Sequence, residues 1–421
     1  MLDIHFIREN RDLVKSAAER KGFPVDIDRL LQIDGERKEL NQEIEQLRAE
    51  QNRQGETLQT ASDNGRELLL LEMKDIKNKI QKLTDQLKPL DQEFNDLILI
   101  VPNVPDVSIP DGSDDSQNKE IRSWGEKTLF DFIPQDHMAL LADLGMVDFE
   151  RGTKVHGFRG YFLTGQAVKL CFAIWNYALD FFHEKGFQPL ITPSIVREDN
   201  LFGTGHLPTD ADDSYKTQDN DYLIGTSEIS LMGMYSDEVL DSTTFPIKML
   251  GFSPCFRREA GSYGKDTKGL IRVNEFFKWE QVMLCEASHE ESEKWHEWIN
   301  RNTEEFIESL GIPYRTVLNC AGDLGLGQVK KYDIELWVPG EEKYREISSA
   351  SYFHDFQTRR FNIRYRDADG KMCFAHSLNC TAIPTPRLLV AFAENFQNQA
   401  GEILIPEKLQ SYFGKDKITK S

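Results

Sequence analysis

From Leu69 onward the apolar residues recur at alternating steps of four and three: Leu69, Met73, Ile76, Ile80, Leu83, Leu87, Leu90, Phe94 and Leu97. That is the a/d seam of a coiled coil. A weaker seam precedes it at Leu30, Ile33, Leu40, Ile44 and Leu47, with Arg37 and Gln51 at intervening seam positions. Between the two lies GETLQTASDNG, residues 55–65, polar and flanked by glycine. The pattern predicts a long antiparallel helical hairpin over about residues 30–100, with its tip near residues 56–66. Legs of roughly 25–30 residues reach about 40 Å at 1.5 Å per residue. A two-helix hairpin has no third layer to cover it, so it is expected to project as an arm.

The arm is unevenly charged. Residues 36–56 are dominated by glutamates, whereas the second leg opens with Arg66, Lys74, Lys77, Lys79 and Lys82 against Glu67, Glu72 and Asp75. If the arm touches a polyanion, the second leg is the expected contact; the alternative is a solvated charged face. Over the whole chain the net charge is −20, which argues against indiscriminate binding to nucleic acid or membrane but leaves room for a local basic face.

VPNVPDVSIPDGSDDSQNKE, residues 101–120, is rich in Pro, Asp and Ser and reads as a linker. It suggests an N-terminal domain over 1–105, a linker over 106–125 and a second domain over 126–421. In that second part, residues 166–186 have the pattern of an amphipathic helix and FQPLITPSIV, 187–196, that of a strand. Further β-rich stretches lie at 222–225, 246–259, 270–285, 332–338 and 361–366, with helices near 288–310 and 387–399. Strands and helices segregate, so the expected class is α+β: an antiparallel sheet with helices packed on it. Neither GxGxxG nor a Walker-type loop occurs, so any nucleotide must sit on another kind of surface.

No apolar run is long enough to span a bilayer, and MLDIHFIREN lacks the apolar core of a signal peptide. Cys171, Cys255, Cys285, Cys320, Cys373 and Cys380 form no CxxC pair, and no histidine joins a cysteine at zinc spacing. The expectation is a cytoplasmic protein with reduced thiols, no structural zinc and no membrane partner.

Residues 256–280, FRREAGSYGKDTKGLIRVNEFFKWE, put cations, an aromatic and carboxylates on both sides of one short loop. If LIRVNEFFKWEQVML is a strand, one face carries Arg272, Asn274, Phe276, Lys278 and Glu280. A hairpin turning through the loop Gly261–Gly269 would add Arg257 and Glu259 to that surface. Guanidinium forks suit phosphate or carboxylate, a phenylalanine suits a purine ring, and a glutamate suits an ammonium group. An adenylating enzyme needs all three. A twisted surface hairpin with ordinary cross-strand ion pairs explains the same alternation.

The stretch FRREAGSYGKDTKGLIRVNEF resembles the second signature motif of class II aminoacyl-tRNA synthetases, in the version of the seryl-tRNA synthetases. GFQPLITPSIV is similar to their first motif, GTSEIS to a serine-binding loop, and YREISSASYFHDFQTRRFNIRYR and LNCTAIPTPRLLVAFAENFQ to the remaining active-site segment and third motif. The N-terminal hairpin resembles their tRNA-binding arm, so the likeness covers nearly the whole chain. It implies a serine--tRNA ligase that uses ATP and Mg²⁺, charges tRNA(Ser) and tRNA(Sec), and pairs as a homodimer through the strand around Pro193.

The resemblance also implies residue roles. Arg257, Arg272 and Arg387 carry the catalysis: Arg257 on the α-phosphate and serine carboxylate, Arg272 toward the γ-phosphate, Arg387 over the opposite face of the nucleotide. Glu259 and the Val273 backbone meet adenine, Phe276 stacks on it, and Arg258, Ile347 and Ser348 complete the ATP set. Glu346 and Ser349 hold Mg²⁺, both with hard oxygen donors. Thr226, Ser227, Glu228, Glu280, Asn379 and Thr381 surround L-serine together with Arg257. From the residues themselves, Thr385-Pro386-Arg387 reads as a helix start with Thr385 as N-cap, which puts Arg387 in a first turn. His354 reads as a packing residue, since an ionised carboxylate needs no base to react. The competing readings are a ligase that charges a carrier protein, whose relatives lack the arm, and an inactive RNA-binding paralogue, which would have lost the ATP ligands.

Overall fold

The two apolar seams fold as two long helices, α1 (Ile27–Thr60) and α2 (Asp63–Leu99). This computed structural model describes residues 1–60, 62–260 and 268–420. The chain divides into two compact units, Leu2–Pro102 and Asn103–Ser421 with Met1.

In the first unit, every seam residue from Leu69 to Leu97 is buried or half-buried, while most of the residues between them face solvent. Arg37 occupies a seam position without breaking it. Its Nε donates to Asp91 at 2.6 Å, and its guanidinium lies 3.8 Å from the centre of the Phe94 ring, so the cation sits on a π face and beside a carboxylate. Arg29 forks onto Glu93 with both bonds at 2.7 Å. The turn is tighter than expected: helix continues through Gly55 to Thr60 and resumes at Asp63, and the sequence places no proline there to interrupt the backbone ladder. Residue 61 lies outside the described residues.

The second unit is built on an eight-stranded sheet. Its strands are β1 (Lys119–Trp124), β2 (Gln188–Ile191), β3 (Ile247–Phe256) and β4 (Glu275–Cys285), then β5 (Tyr314–Leu318), β6 (Lys330–Val338), β7 (Lys343–His354) and β8 (His376–Pro384). They lie in the order β1-β5-β6-β7-β8-β4-β3-β2. All neighbours are antiparallel except β2 and β3. Helices α3 (Gln166–Glu184), α4 (His289–Leu310) and α5 (Thr385–Asn395) pack with it around one large apolar core. Helix α4 covers one face of the sheet. Its Thr303 bonds the Thr381 carbonyl, and its His296 reaches the Ala350 carbonyl at 2.9 Å. The opposite face keeps its polar side chains.

Three expectations need correction. The segment 106–125 is not a free linker. Asn103 donates to the carbonyls of Gly327 and Phe353, the Asp106 amide bonds Val329, and residues 119–124 are β1, paired with β5 at the sheet edge. Second, the strands of the hairpin are shorter than 246–259 and 270–285. The Asn274 side chain takes the carbonyls of Arg257 and Arg258, Glu259 adopts φ +56°, and the ladder ends at Phe256 and Glu275. Residues 270–274 therefore do not alternate as a strand. Of the expected loop Gly261–Gly269, residues 261–267 lie outside the described residues. Third, α5 starts at Thr385 with Pro384 as N-cap, and the Thr385 hydroxyl is instead taken by the Trp175 indole at 2.6 Å.

Phe94→Ala removes the ring under Arg37 and is expected to destabilise the helical unit by about 3 kcal/mol. Leu70→Ala, at a position 51% exposed, is expected to stay within about 0.5 kcal/mol. Urea unfolding followed by far-UV circular dichroism compares the two.

Candidate active site

Strand β4 supplies the floor of the site. Phe276, Lys278 and Glu280 alternate onto its polar face, while Gln281 turns the other way and bonds the Ile299 carbonyl and Thr303 of α4. Glu280 lies opposite Thr381 on β8 and opposite Gly251 on β3. Gly251 is required there. A Cβ would lie 2.6 Å from the Ser227 hydroxyl, so only glycine lets the loop carrying Thr226, Ser227 and Glu228 settle against the sheet.

Above this floor the cations converge. Arg257, Arg272 and Arg387 line one cavity with Glu259, Phe276 and Glu346. Val273, Ile347, Lys278 and Thr381 complete the part that matters chemically. Arg257 lies 5.5 Å from the centre of the Phe276 ring and donates to the Gly225 carbonyl at 3.4 Å. Arg272 pairs with Glu259 at 2.6 Å. Arg387, in the first turn of α5, donates to the carbonyls of Ile271 and Glu346 at 2.9 and 2.8 Å. Each guanidinium is thus oriented before any anion arrives. Such a cluster beside an aromatic face can take a phosphorylated purine.

Below the ring, the pocket closes on a buried polar network. The Lys278 ammonium reaches Glu280 at 2.6 Å, Thr226 at 2.9 Å and Thr381 at 3.4 Å, and Thr381 donates to Glu280 at 3.1 Å. Glu228 is held by Gln357 at 2.6 Å, and Gln357 in turn by Ser377. Burial pushes the Glu280 carboxyl above its ordinary range; Lys278 opposes this and nearby Glu228 adds to it. A pocket of this kind suits a small molecule that brings its own cation and hydroxyl. Lys278 was not among the candidate residues, although it shares the alternating face with Phe276 and Glu280. A lysine on a strand resembles a solvent-facing cation until the pairing of β4 is known.

Ser227, Ser348, Arg258 and Asn379 are not among the residues that line the arginine cavity. Ser227 is fully buried and bonds the Gly251 carbonyl. Ser348 turns its hydroxyl to the Thr381 carbonyl, away from the cavity. Arg258 lines a neighbouring cavity whose shared wall is Glu259. Asn379 lies on β8 opposite Ser351 of β7. His354 packs among Tyr352, His289 and His376, and burial together with the two histidines pushes it down to about 3, so it is neutral.

Glu346 and Ser349 pose a geometric question, since residues three apart on a regular strand face opposite sides. A bulge answers it. Ile334 of β6 pairs with Ser348, but Glu335 pairs with Glu346, so Ile347 is skipped and Glu346 joins the face of Ser349. Against the desolvation of the cavity walls, Arg387, Lys331 and Arg257 hold the Glu346 carboxyl below its ordinary range. A carboxylate and a hydroxyl on one face of the sheet, the carboxylate at the arginine-lined cavity, fit a hard divalent cation.

The comparisons agree with this architecture. Residues 1–105 match the seryl-tRNA synthetase N-terminal domain, and residues 213–396 match the tRNA synthetase class II core domain (G, H, P, S and T). A serine--tRNA ligase of Deinococcus radiodurans is 43% identical over 98% of both chains. One of Symbiobacterium thermophilum is 40% identical over the full length of both. The crystal structure of seryl-tRNA synthetase from Pyrococcus horikoshii complexed with ATP superposes with a TM-score of 0.92, at 39% identity and full coverage of both chains. With a helical N-terminal hairpin, an antiparallel-rich class II core and these relatives over its whole length, the chain belongs to the seryl-tRNA synthetase family.

Proposed function

We propose that the protein is a serine--tRNA ligase, which activates L-serine with ATP and transfers it to the 3′ end of tRNA. The observation that carries this reading is the convergence of Arg257, Arg272 and Arg387 around Phe276, directly above the buried Lys278–Glu280–Thr381 network. The purine stacks on Phe276, with Glu259 and the Val273 backbone at its edge. Arg257 bridges the α-phosphate and the serine carboxylate, and Arg272 exchanges Glu259 for a distal phosphate. Glu346 and Ser349 would hold Mg²⁺, which when bound neutralises phosphate charge. The serine carboxylate attacks the α-phosphorus, the bond to the bridging oxygen breaks and pyrophosphate leaves. No base is needed, because the carboxylate is already ionised. The terminal ribose hydroxyl of the tRNA then attacks the seryl carbonyl and AMP departs.

Serine selectivity follows from the floor. Glu280 and Thr381 accept and return hydrogen bonds to one hydroxyl, and alanine would leave them unpaired. Threonine is excluded only by the bulk of its methyl, so its rejection is weaker. The arm supports tRNA recognition through shape: Arg66, Lys74, Lys77, Lys79 and Lys82 all face solvent on α2. This reading includes tRNA(Ser) and tRNA(Sec) and a cytoplasmic location; among the described residues no helix is long and apolar enough to cross a membrane. The arm weighs against a carrier-protein ligase, and the complete set of cations against an inactive paralogue.

A homodimer is supported by apolar exposure around the first motif. Ile191 is 87% exposed, and Ile195, Phe172 and Val168 are exposed as well. Ile191→Asp is expected to convert a dimer to a monomer in sedimentation velocity; an undisturbed dimer would place the interface elsewhere.

Serine-dependent exchange of pyrophosphate into ATP is expected from the full chain and is expected to vanish in Arg257→Ala. Deleting residues 40–90 leaves the abutting ends near Arg37 and Asp91, so exchange is expected to persist while aminoacylation is lost. Equal loss of both would refute this division of labour. Lys278→Met leaves the Glu280 charge buried without its cation and is expected to cost about 3 kcal/mol in chemical denaturation. Lys278→Met combined with Glu280→Gln is expected to recover much of that stability without recovering serine binding.

A further inference from the structure

Asp333 lies on β6 directly opposite Ser349 on β7, on the polar face of the sheet. Its side chain is 9% exposed. One carboxylate oxygen, Oδ2, is occupied: Asn319 donates to it at 2.6 Å and the Lys331 ammonium lies 3.4 Å away. Asn319 and Lys331 are themselves tied to Asp323, at 2.7 and 3.6 Å, so Asp333 is held in a fixed frame. The other oxygen, Oδ1, is buried and has no hydrogen-bond partner. A buried carboxylate oxygen without a donor is costly, so it is poised to accept a hydrogen from a neighbouring hydroxyl that turns toward it.

Side chains directly opposite on paired strands have Cβ atoms roughly 4.5–5.5 Å apart, within reach of a hydroxyl. Ser349 is therefore the nearest structural source of that donor along the ladder. A hydroxyl oxygen that gives a lone pair to a cation becomes a better donor and must aim its hydrogen away from the ion. An acceptor behind it fixes that orientation, as partners behind metal ligands generally do. The next pair on that face, Glu335 and Glu346, is engaged by other cations: Arg315 donates to Glu335 at 2.5 Å and Arg387 to Glu346 at 3.3 Å.

We propose that Asp333 is a positioning residue for the divalent cation: Oδ1 accepts the Ser349 hydroxyl hydrogen and turns the Ser349 oxygen toward the ion. This rests on the reading of Glu346 and Ser349 as the cation's protein ligands. Asp333 touches neither nucleotide nor serine, and acts through Ser349 alone.

The test is Mn²⁺ affinity, measured by electron paramagnetic resonance on the full-length protein with a non-hydrolysable ATP analogue. Asp333→Asn is expected to weaken Mn²⁺ about 10-fold. Asp333→Glu keeps the charge that Lys331 and Asn319 pair with while displacing the orphan oxygen, so it guards against a variant that fails to fold. It is expected to weaken Mn²⁺ similarly, with an unchanged melting temperature. Ser349→Ala is expected to weaken Mn²⁺ as well, and adding Asp333→Glu to it should cost nothing further. If Ser349→Ala weakens Mn²⁺ but neither Asp333 variant does, the inference is overturned and the ligand reading stands. If Ser349→Ala has no effect, both fall. Additive losses in the double variant would also overturn the inference, since Asp333 would then act independently of Ser349.

Discussion

The site depends on β4 being paired along both edges. With β3 on one side and β8 on the other, Phe276, Lys278 and Glu280 must face one way and Gln281 the other. Helix α4 holds that orientation from behind, through Gln281 and through the Thr381 carbonyl. A slip of one residue would send the charged pair into the apolar layer and Gln281 into the pocket, so the register is strongly specified. The glycine at position 251 belongs to the same constraint, because it lets the Thr226 loop close the pocket from the β3 side.

Electrostatics then give the site its character. Two charges buried side by side, Lys278 and Glu280, are costly to desolvate and are retained only because threonine hydroxyls and each other satisfy them. The guanidiniums above are clamped by backbone carbonyls and by carboxylates. They lose little freedom when an anion takes over, which is the basis of electrostatic preorganisation. The pairing of Arg272 with Glu259 is of this kind: it holds the cation in place at a site where phosphate can compete for it.

Much of this was legible in the residues. The apolar seams predict two long helices, because a regular apolar period has few other solutions, but at 34 and 37 residues the helices run further into the polar tip than those seams reach. Arg257, Arg272, Phe276, Glu346 and Arg387 do meet at one cavity. What stayed hidden depends on partners distant in sequence. Period-two alternation extended β4 back to Leu270, but Asn274 caps the hairpin by taking two carbonyls of the other chain segment. The shared face of Glu346 and Ser349 rests on a bulge that only the pairing with β6 creates. Lys278 needed the same knowledge of pairing. The segment 106–125 has a linker's composition, yet it is tied to the sheet unit: the amides of Ala321 and Gly322 donate to the carbonyls of Pro110 and Gly112, and the Cys320 amide donates to the Asn118 side chain.

A crystal structure with ATP and serine bound is the most direct test of the central claim. It is expected to show the purine on Phe276, the phosphates folded back among Arg257, Arg272 and Arg387, and the serine ammonium and hydroxyl at Glu280 and Thr381. Nucleotide bound on another surface, with Arg272 still on Glu259 and the Lys278 pocket empty, would contradict it.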